Sequence, residues 1–217
     1  MVKLLAILGD YYHPAEWAKE SLEEAVRSNF GHEDVQLVFG SYGTLKDELL
    51  DRPDGVILFK ENRLNPNDEI VENWMTEELD SEITRYVQKG GGWLAWHSGL
   101  ASYSSESGYT KMLRGSFLYH PEKHQIVKYS TVEKDSFLPG PSFFEFSDEH
   151  YFVQCNEANT NVFLRSESID GQDVAGWSHS FGEGRVCCLT PAHTKQALMN
   201  QEFLSVLGSC INWIASK

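Results

Sequence analysis

Short apolar runs that alternate with amphipathic segments are the feature that most limits the fold of this chain. Four runs in the first half are almost continuously apolar, at residues 3–9, 35–39, 55–59 and 93–96. Such runs are typical of parallel strands that are buried on both faces. Segments with helical periodicity lie between them, at residues 15–28, 45–50 and 76–89. This alternation predicts an α/β fold whose parallel strands are joined by helical crossovers.

The second half of the chain departs from this rhythm. Residues 98–170 are rich in loop-forming residues, with short β-like pieces at 125–129 and 162–166. We expect loops and short antiparallel strands there, laid over one end of the sheet. A strand at 185–190 and a closing helix at 201–215 restore the pattern. Residues 1–217 are therefore predicted to form a single domain.

The net charge of the chain limits the kinds of partner that it can bind. The chain has 32 acidic and 18 basic side chains, which gives a formal net charge of −14 at pH 7. Such a surface repels phosphate backbones and anionic lipid, so we expect no nucleic-acid partner and no membrane partner. The opening apolar run is too short for a signal peptide or a membrane span, and the four cysteines lack the spacing of a metal site. These features predict a cytoplasmic protein with reduced cysteines.

The segment from Gly90 to Gly99 is the most informative for function. It is an apolar strand that runs into a sharp turn, Gly-Gly-Gly-Trp-Leu-Ala-Trp-His-Ser-Gly. In α/β folds of the glutamine-amidotransferase type, this turn is the nucleophile elbow, where a strained residue, normally Cys, stands after a central strand. Here His97 occupies that position. Because glutaminase chemistry needs a thiolate, no Cys-dependent amidotransferase activity is expected. Ser98 lies one residue beyond the tip of the turn. An amide hydrolase that uses Ser98 as its nucleophile is therefore a further, weaker alternative to the functions considered below.

Three histidines follow predicted strands of the sheet. His13 comes after the first strand, His97 after the fourth and His193 after the last. Parallel strands end at one edge of a sheet, so these side chains are expected to converge. His120 and Glu149 belong to the intervening segment, and we expect them to reach the same crevice.

Histidine and carboxylate groups in one crevice suit acid/base chemistry or metal ligation near neutral pH. We assign catalytic roles to His97, Glu149, His120 and His193. The three histidines of that set are also the expected ligands of a divalent metal such as zinc, since a catalytic zinc site has three protein ligands and an open position. His13 is expected to bind the ligand.

Aromatic side chains near the same positions indicate the kind of ligand. A flat apolar ring with a polar handle is a typical surface for stacking against a sugar. We expect Tyr12 and Tyr119 to contact the ligand, together with Ser98.

Several motifs along nearly the whole chain resemble those of the ThuA-like (trehalose utilisation) proteins. They are Ala95-Trp96-His97-Ser98-Gly99, Phe117-Leu118-Tyr119-His120-Pro121, Phe146-Ser147-Asp148-Glu149-His150-Tyr151, Gly176-Trp177, Phe181-Gly182-Glu183-Gly184-Arg185-Val186 and Ala192-His193. In the last motif the family usually has Gly-His. The family is a branch of the class I glutamine-amidotransferase-like superfamily. The resemblance implies a flavodoxin-like three-layer sandwich with a mostly parallel central sheet, and a link to disaccharide or glycoside metabolism.

The main functional hypothesis is a protein of carbohydrate utilisation that acts on a sugar or glycoside derivative through a His/Glu pocket. The alternative is a non-catalytic sugar-binding or assembly protein on a degenerate amidotransferase fold. We also expect a homo-oligomer, because four phenylalanines of the middle segment offer apolar surface, namely Phe137, Phe143, Phe144 and Phe146.

Overall fold

One large mixed sheet organises the molecule. The computed structural model describes residues 1–30, 35–132, 137–138 and 143–216, and in this part of the chain nine strands form the sheet and two more form a small separate ribbon. The strands are β1 (Val2–Leu8), β2 (Val35–Gly40), β3 (Gly55–Phe59), β4 (Gly92–Trp96), β5 (Gly115–Tyr119), β6 (Gln125–Thr131), β7 (Phe143–Asp148), β8 (Phe152–Cys155), β9 (Asn161–Ser168), β10 (Gly171–Phe181) and β11 (Gly184–Leu189). The helices are α1 (Ala15–Asn29), α2 (Leu45–Leu50), α3 (Glu77–Gln88), α4 (Gly108–Leu113), α5 (Lys195–Leu198) and α6 (Gln201–Ala215).

The large sheet has a parallel half and an antiparallel half. Its order is β2-β1-β3-β4-β11-β10-β9-β6-β7, and β5 pairs with β8 in the ribbon. Neighbours from β2 to β11 are parallel, with Ile57 of β3 opposite Leu94 of β4 and Ala95 opposite Cys188 of β11. All pairs from β11 to β7 are antiparallel. The prediction of an α/β fold is confirmed, whereas the prediction of a mostly parallel sheet is right for only one half.

The antiparallel half extends the sheet and does not lie over one end of it. Strand β10 follows β9 closely and returns through a tight turn into β11, with Gly182 at a φ of +61°. Such short connections force antiparallel pairing, because a parallel crossover needs a dozen or more residues. In β7 buried and exposed residues alternate, as expected of a sheet with one covered face.

Two apolar layers enclose the parallel half, because alternate residues of each strand point to opposite faces. On one face Leu94 and Trp96 join a buried cluster with α1 and α6. On the other face Trp93 and Ala95 join a second cluster with α2, α3 and α4. Each fully buried large apolar side chain contributes about 1.5–3 kcal/mol to folding. The two layers hold the strand ends rigidly, and the site is built on those ends.

The cysteines belong to these layers. Adjacent residues Cys187 and Cys188 lie in opposite clusters, as their succession on a strand predicts, and both are buried. Burial raises the pKa of both thiols well above the usual value, and it raises the pKa of Cys155 to about 11. None of these thiols is a thiolate at neutral pH. In the described residues, no helix is both long and apolar enough to cross a membrane.

Candidate functional site

The turn after β4 places His97 at the edge of the sheet. His97 has a φ of +48°, in the left-handed region that a histidine rarely adopts, and it begins a short 3₁₀ turn, His97–Leu100. A Cβ added at Gly99 would lie 2.2 Å from the Leu58 carbonyl oxygen, so only glycine lets the turn pack this closely on β3. The elbow expected from the sequence is confirmed, with histidine at its tip.

The His97 ring is held in one tautomer. Its Nδ1 lies 2.7 Å from the Thr190 carbonyl oxygen, which accepts the Nδ1 proton and leaves Nε2 with a lone pair. The ring is fully buried and stacks on Tyr151 at a centroid distance of 4.1 Å. Burial, followed by the nearby His13 and His193, lowers the pKa of His97 well below its usual value. His97 is therefore neutral at physiological pH.

His13 is oriented in the same manner from the loop after β1. Its Nδ1 lies 2.5 Å from Oδ1 of Asp10, whose side chain is fully buried. Burial alone raises the pKa of Asp10, but the hydrogen bond and charge of His13, with the Glu61 backbone N–H, bring it below the usual value. The ionised carboxylate fixes the Nδ1–H tautomer of His13 and turns Nε2 toward His97 and His193. The ring centroids lie 4.9 Å and 4.8 Å away, respectively.

Asp148 holds the loop that carries His193. Its carboxylate accepts the backbone N–H of His193 at 2.9 Å and that of Thr194 at 3.0 Å. Burial raises the pKa of Asp148 to about 7, against the effect of these backbone donors. Burial, followed by the neighbouring His13, lowers the pKa of His193 to about 4, so its imidazole is also neutral.

Glu149 lies between the buried histidines and the opening of the crevice. Its Oε2 is 3.6 Å from Nε2 of His97 and 3.5 Å from Nδ1 of His193. Its Oε1 is 3.6 Å from Nε2 of His120, whose Nδ1 lies 2.8 Å from the Pro121 carbonyl oxygen. Because His97 and His193 are neutral, their contacts with Glu149 are not ion pairs at neutral pH.

Four residues offer ligand atoms that all lie within 4.8 Å of one another: His13, His97, Glu149 and His193. This set shares His97 and His193 with the predicted metal triad and has His13 in the place expected for His120. The contact of His13 with Asp10 holds the loop after β1 toward the site. His120 instead contacts Oε1 of Glu149, and its side chain is 35% exposed. Nε2 of His13, Nε2 of His97 and Nδ1 of His193 are buried and have no hydrogen-bond partner among the described residues.

A cavity of about 420 Å³ opens over these residues. Its walls are Tyr12, His13, Glu61, Arg63, Ala101, Phe117, His120, Glu149, Tyr151 and His193. Three charged residues at the site were not foreseen, namely Asp10, Glu61 and Arg63. A signal for them was present, because Asp10 follows β1 and Glu61 and Arg63 follow β3 at the same sheet edge as the histidines.

Two expected ligand contacts are not at the cavity wall. Ser98 is fully buried beneath it, because the turn directs its side chain into the protein. Tyr119 stacks on Phe152 at a centroid distance of 4.8 Å and an interplanar angle of 4°, which holds its ring away from the cavity. Tyr12 does line the cavity and is 45% exposed.

The remaining described histidines have structural partners or stand apart. His150 contacts the hydroxyls of Ser166 and Ser168, and His179 donates Nε2–H to the Met112 carbonyl oxygen at 2.8 Å. The ring of His124 lies 5.6 Å from that of His193, outside the four-residue set. His32, to which the sequence assigns no role, lies outside the described residues.

Comparison with known families decides the relationship. The model of the ThuA family, described as trehalose utilisation, matches residues 10–214. The chain belongs to the ThuA family. No curated protein sequence matches the chain.

Solved structures share the fold of this ThuA-family chain at low sequence identity. A protein of Parabacteroides merdae ATCC 43184 described as ThuA-like is 16% identical with a TM-score of 0.75, over 99% of this chain and 90% of that one. A cytoplasmic protein of Salmonella typhimurium LT2 is 15% identical with a TM-score of 0.67, over 98% of this chain and 99% of that one. A β-galactosidase from Rahnella sp. R3 is 13% identical with a TM-score of 0.67, over 98% of this chain but only 31% of that enzyme. Identities this low establish the fold alone.

Proposed function

We propose that this protein is an enzyme that carries out metal-assisted acid/base chemistry on a sugar or glycoside derivative. One observation carries the proposal: three buried imidazole nitrogens, which have no hydrogen-bond partner in the part of the chain that the structure describes, converge with Glu149 at the sheet edge. Burying polar atoms without partners is costly, so a site that gathers three of them is suited to a ligand that binds lone pairs. The description of the family as trehalose utilisation and the fold shared with a β-galactosidase support a sugar as the substrate class.

The donor set fits a zinc-type ion. Zinc takes imidazole nitrogen and carboxylate oxygen, and its histidine ligands typically donate their other N–H to a carbonyl or a carboxylate. His97 does so to Thr190, and His13 does so to Asp10. Metal binding also requires neutral imidazoles, and burial keeps His97 and His193 neutral. A divalent ion held there would supply a Lewis acid for polarising a sugar oxygen and activating water near neutral pH.

Glu149 is the residue best suited to take a proton from the substrate. It lines the cavity, its side chain is only 12% exposed, and its two oxygens face different histidines. Because the Nδ1 proton of His120 is held by the Pro121 carbonyl, Nε2 of His120 is free to accept a proton from Glu149. His120 is partly exposed and passes that proton to solvent. Glu149 and His120 together thus act as the general base and its relay.

Metal analysis tests this function directly. Protein purified without chelator and titrated with Zn²⁺ is expected to bind one ion per chain, measured by plasma mass spectrometry and calorimetry. His97→Gln and His193→Gln are expected to weaken Zn²⁺ binding at least roughly tenfold. His179→Gln, a change at a buried histidine outside the site, provides the matched control. Absence of tight Zn²⁺ binding by the wild type, or equal binding by all variants, would reject the metal-assisted proposal.

Three further expectations from the sequence are kept as proposals: a single domain, a cytoplasmic location and a homo-oligomer. We infer a single domain over residues 1–217 with a flavodoxin-like core, which is supported by the order β2-β1-β3-β4-β11 of the parallel half. A cytoplasmic location is supported by the description of the Salmonella protein. A homo-oligomer is still proposed, although of the four phenylalanines only Phe143 is largely exposed, at 61%.

A further inference from the structure

We propose that Glu61 and Arg63 form a subsite that recognises two neighbouring hydroxyl groups of a neutral sugar ring. The proposal rests on the sugar-directed function proposed above and narrows its substrate class. Both residues line the cavity that also holds Glu149 and the histidines.

One carboxylate oxygen of Glu61 accepts several hydrogen bonds, and the other accepts none from the described residues. Oε2 accepts hydrogen bonds from Nε of Arg63 and from the Ser102 hydroxyl, each at 2.8 Å, and Nη2 of Arg63 lies 2.8 Å from the same atom. Oε1 is buried and meets no donor among the described residues, although the side chain is only 2% exposed. A buried carboxylate oxygen is costly to leave without a donor. We infer that a ligand hydroxyl supplies the donor.

Two hydrogen bonds hold the backbone of Glu61 in place. The Glu61 N–H donates to Oδ2 of Asp10 at 2.9 Å, and the indole N–H of Trp74 donates to the Glu61 carbonyl at 2.9 Å. Asp10 also orients His13, so one buried carboxylate sets both the histidine cluster and the subsite. The fold therefore fixes the distance between the histidine cluster and the subsite. A sugar ring bound at the subsite would keep a constant position relative to Glu149.

Arg63 supplies the complementary donors. A guanidinium has five N–H donors, and the contacts with Glu61 leave several of them for another acceptor. The side chain is 38% exposed at the cavity wall. The pair thus presents an acceptor beside donors. A hydroxyl group both donates and accepts, so two adjacent hydroxyls match this arrangement.

The charges favour a neutral ligand over an acidic one. Glu61 and Glu149 line the cavity and Asp10 lies buried behind it, while the charge of Arg63 is already paired with Glu61. A ligand carboxylate would meet like charges, which weakens its binding. The exposed ring of Tyr12 in the same cavity offers an apolar face against which a sugar ring can stack.

The experiment compares two probes, trehalose and glucuronate, by calorimetry and saturation-transfer NMR on protein to which no Zn²⁺ has been added. We expect the wild type to bind trehalose at least roughly tenfold more tightly than glucuronate, because the glucuronate carboxylate would meet like charges. Glu61→Gln replaces the acceptor by an amide and is expected to weaken trehalose binding roughly 10- to 100-fold. Arg63→Gln is expected to cause a similar loss and serves if the first variant does not fold. Glu82→Gln removes a carboxylate that contacts Arg85 outside the cavity and provides the matched control.

Zn²⁺ binding is measured on the same samples, so the two proposals can fail separately. Sugar discrimination without Zn²⁺ binding would leave the subsite standing and reject the metal-assisted function. Zn²⁺ binding with unchanged trehalose affinity in Glu61→Gln would overturn the subsite. Tighter binding of glucuronate than of trehalose, or no binding of trehalose by the wild type, would overturn it as well.

Discussion

Gly99→Ala tests whether the histidine elbow depends on close packing against β3. The new Cβ would lie 2.2 Å from the Leu58 carbonyl oxygen, whereas nonbonded carbon and oxygen atoms approach to about 3.3–3.6 Å, so the turn must move by about 1 Å. Gly99 does not have a positive φ, so alanine meets no backbone penalty and the effect is steric. Forcing one methyl into packed structure costs about 1–3 kcal/mol.

The assay has a stability arm and a site arm. For a domain of this size, 1 kcal/mol shifts the melting temperature by about 2–4 °C, so a fall of roughly 2–12 °C is expected in thermal unfolding. A metal site must be held within about 0.5 Å, so displacing His97 is expected to weaken Zn²⁺ binding at least roughly tenfold. Gly43→Ala is the matched control, because its Cβ would meet only the Ser41 hydroxyl at 3.7 Å. If Gly99→Ala melted and bound Zn²⁺ like this control, the elbow argument would be refuted.

Three further predictions concern buried groups. Asp10→Asn should weaken Zn²⁺ affinity about 10- to 100-fold, measured by competition with a chelator, because His13 loses its charged partner; an unchanged affinity would contradict this. His179 has a pKa lowered by burial from 6.5 to about 4, so its stability contribution is complete above pH 6.5 and declines as the pH falls toward 4. Between pH 7 and pH 5 the wild type should lose up to about 2 kcal/mol more than His179→Gln in urea unfolding, and parallel pH curves would refute this. Cys188→Ala should reduce stability without abolishing Zn²⁺ binding, since the thiol lies in the core; loss of binding in the folded variant would show otherwise.

Strand ends were the most predictable part of the site. His97 could be placed from the sequence because an apolar run followed by a glycine-containing turn marks the residue at which the strand ends. His193 and His13 follow from the same rule. The sequence could not show that His13 lies closer than His120 to the other two histidines, because this depends on the local hydrogen bond between His13 and Asp10 and on the long-range hydrogen bond from the Glu61 N–H to Asp10. The exchange of His120 for His13 in the candidate metal set is the consequence.

The antiparallel half shows where periodicity fails. Strand β10 combines Gly176, Ser178 and His179, residues that reduce its apolar pattern, and its register shifts around Gly176. A Cβ at Gly176 would lie 2.5 Å from the Phe163 ring, so the glycine is needed for packing between β9 and β10. In a sequence without a structure, such a glycine indicates a loop and not a strand. The contact that explains it is visible only after the strands have been paired.

Electrostatics connects the candidate metal set with the acidity of the chain. Asp10, Glu61, Asp148 and Glu149 stand around three imidazoles, and burial keeps at least His97 and His193 neutral, so these histidines do not balance the carboxylates. A structural role would be served as well by amides, which would satisfy their neighbours without gathering negative charge. Imidazoles kept neutral by burial at His97 and His193, and held in fixed tautomers at His97 and His13, are instead the condition under which a divalent cation is bound beside carboxylates and its charge offset. In the proposed function, the elbow that presents a thiol in amidotransferase-like folds presents a lone pair here, and the change of one residue type turns a position for covalent chemistry into one for metal-assisted chemistry.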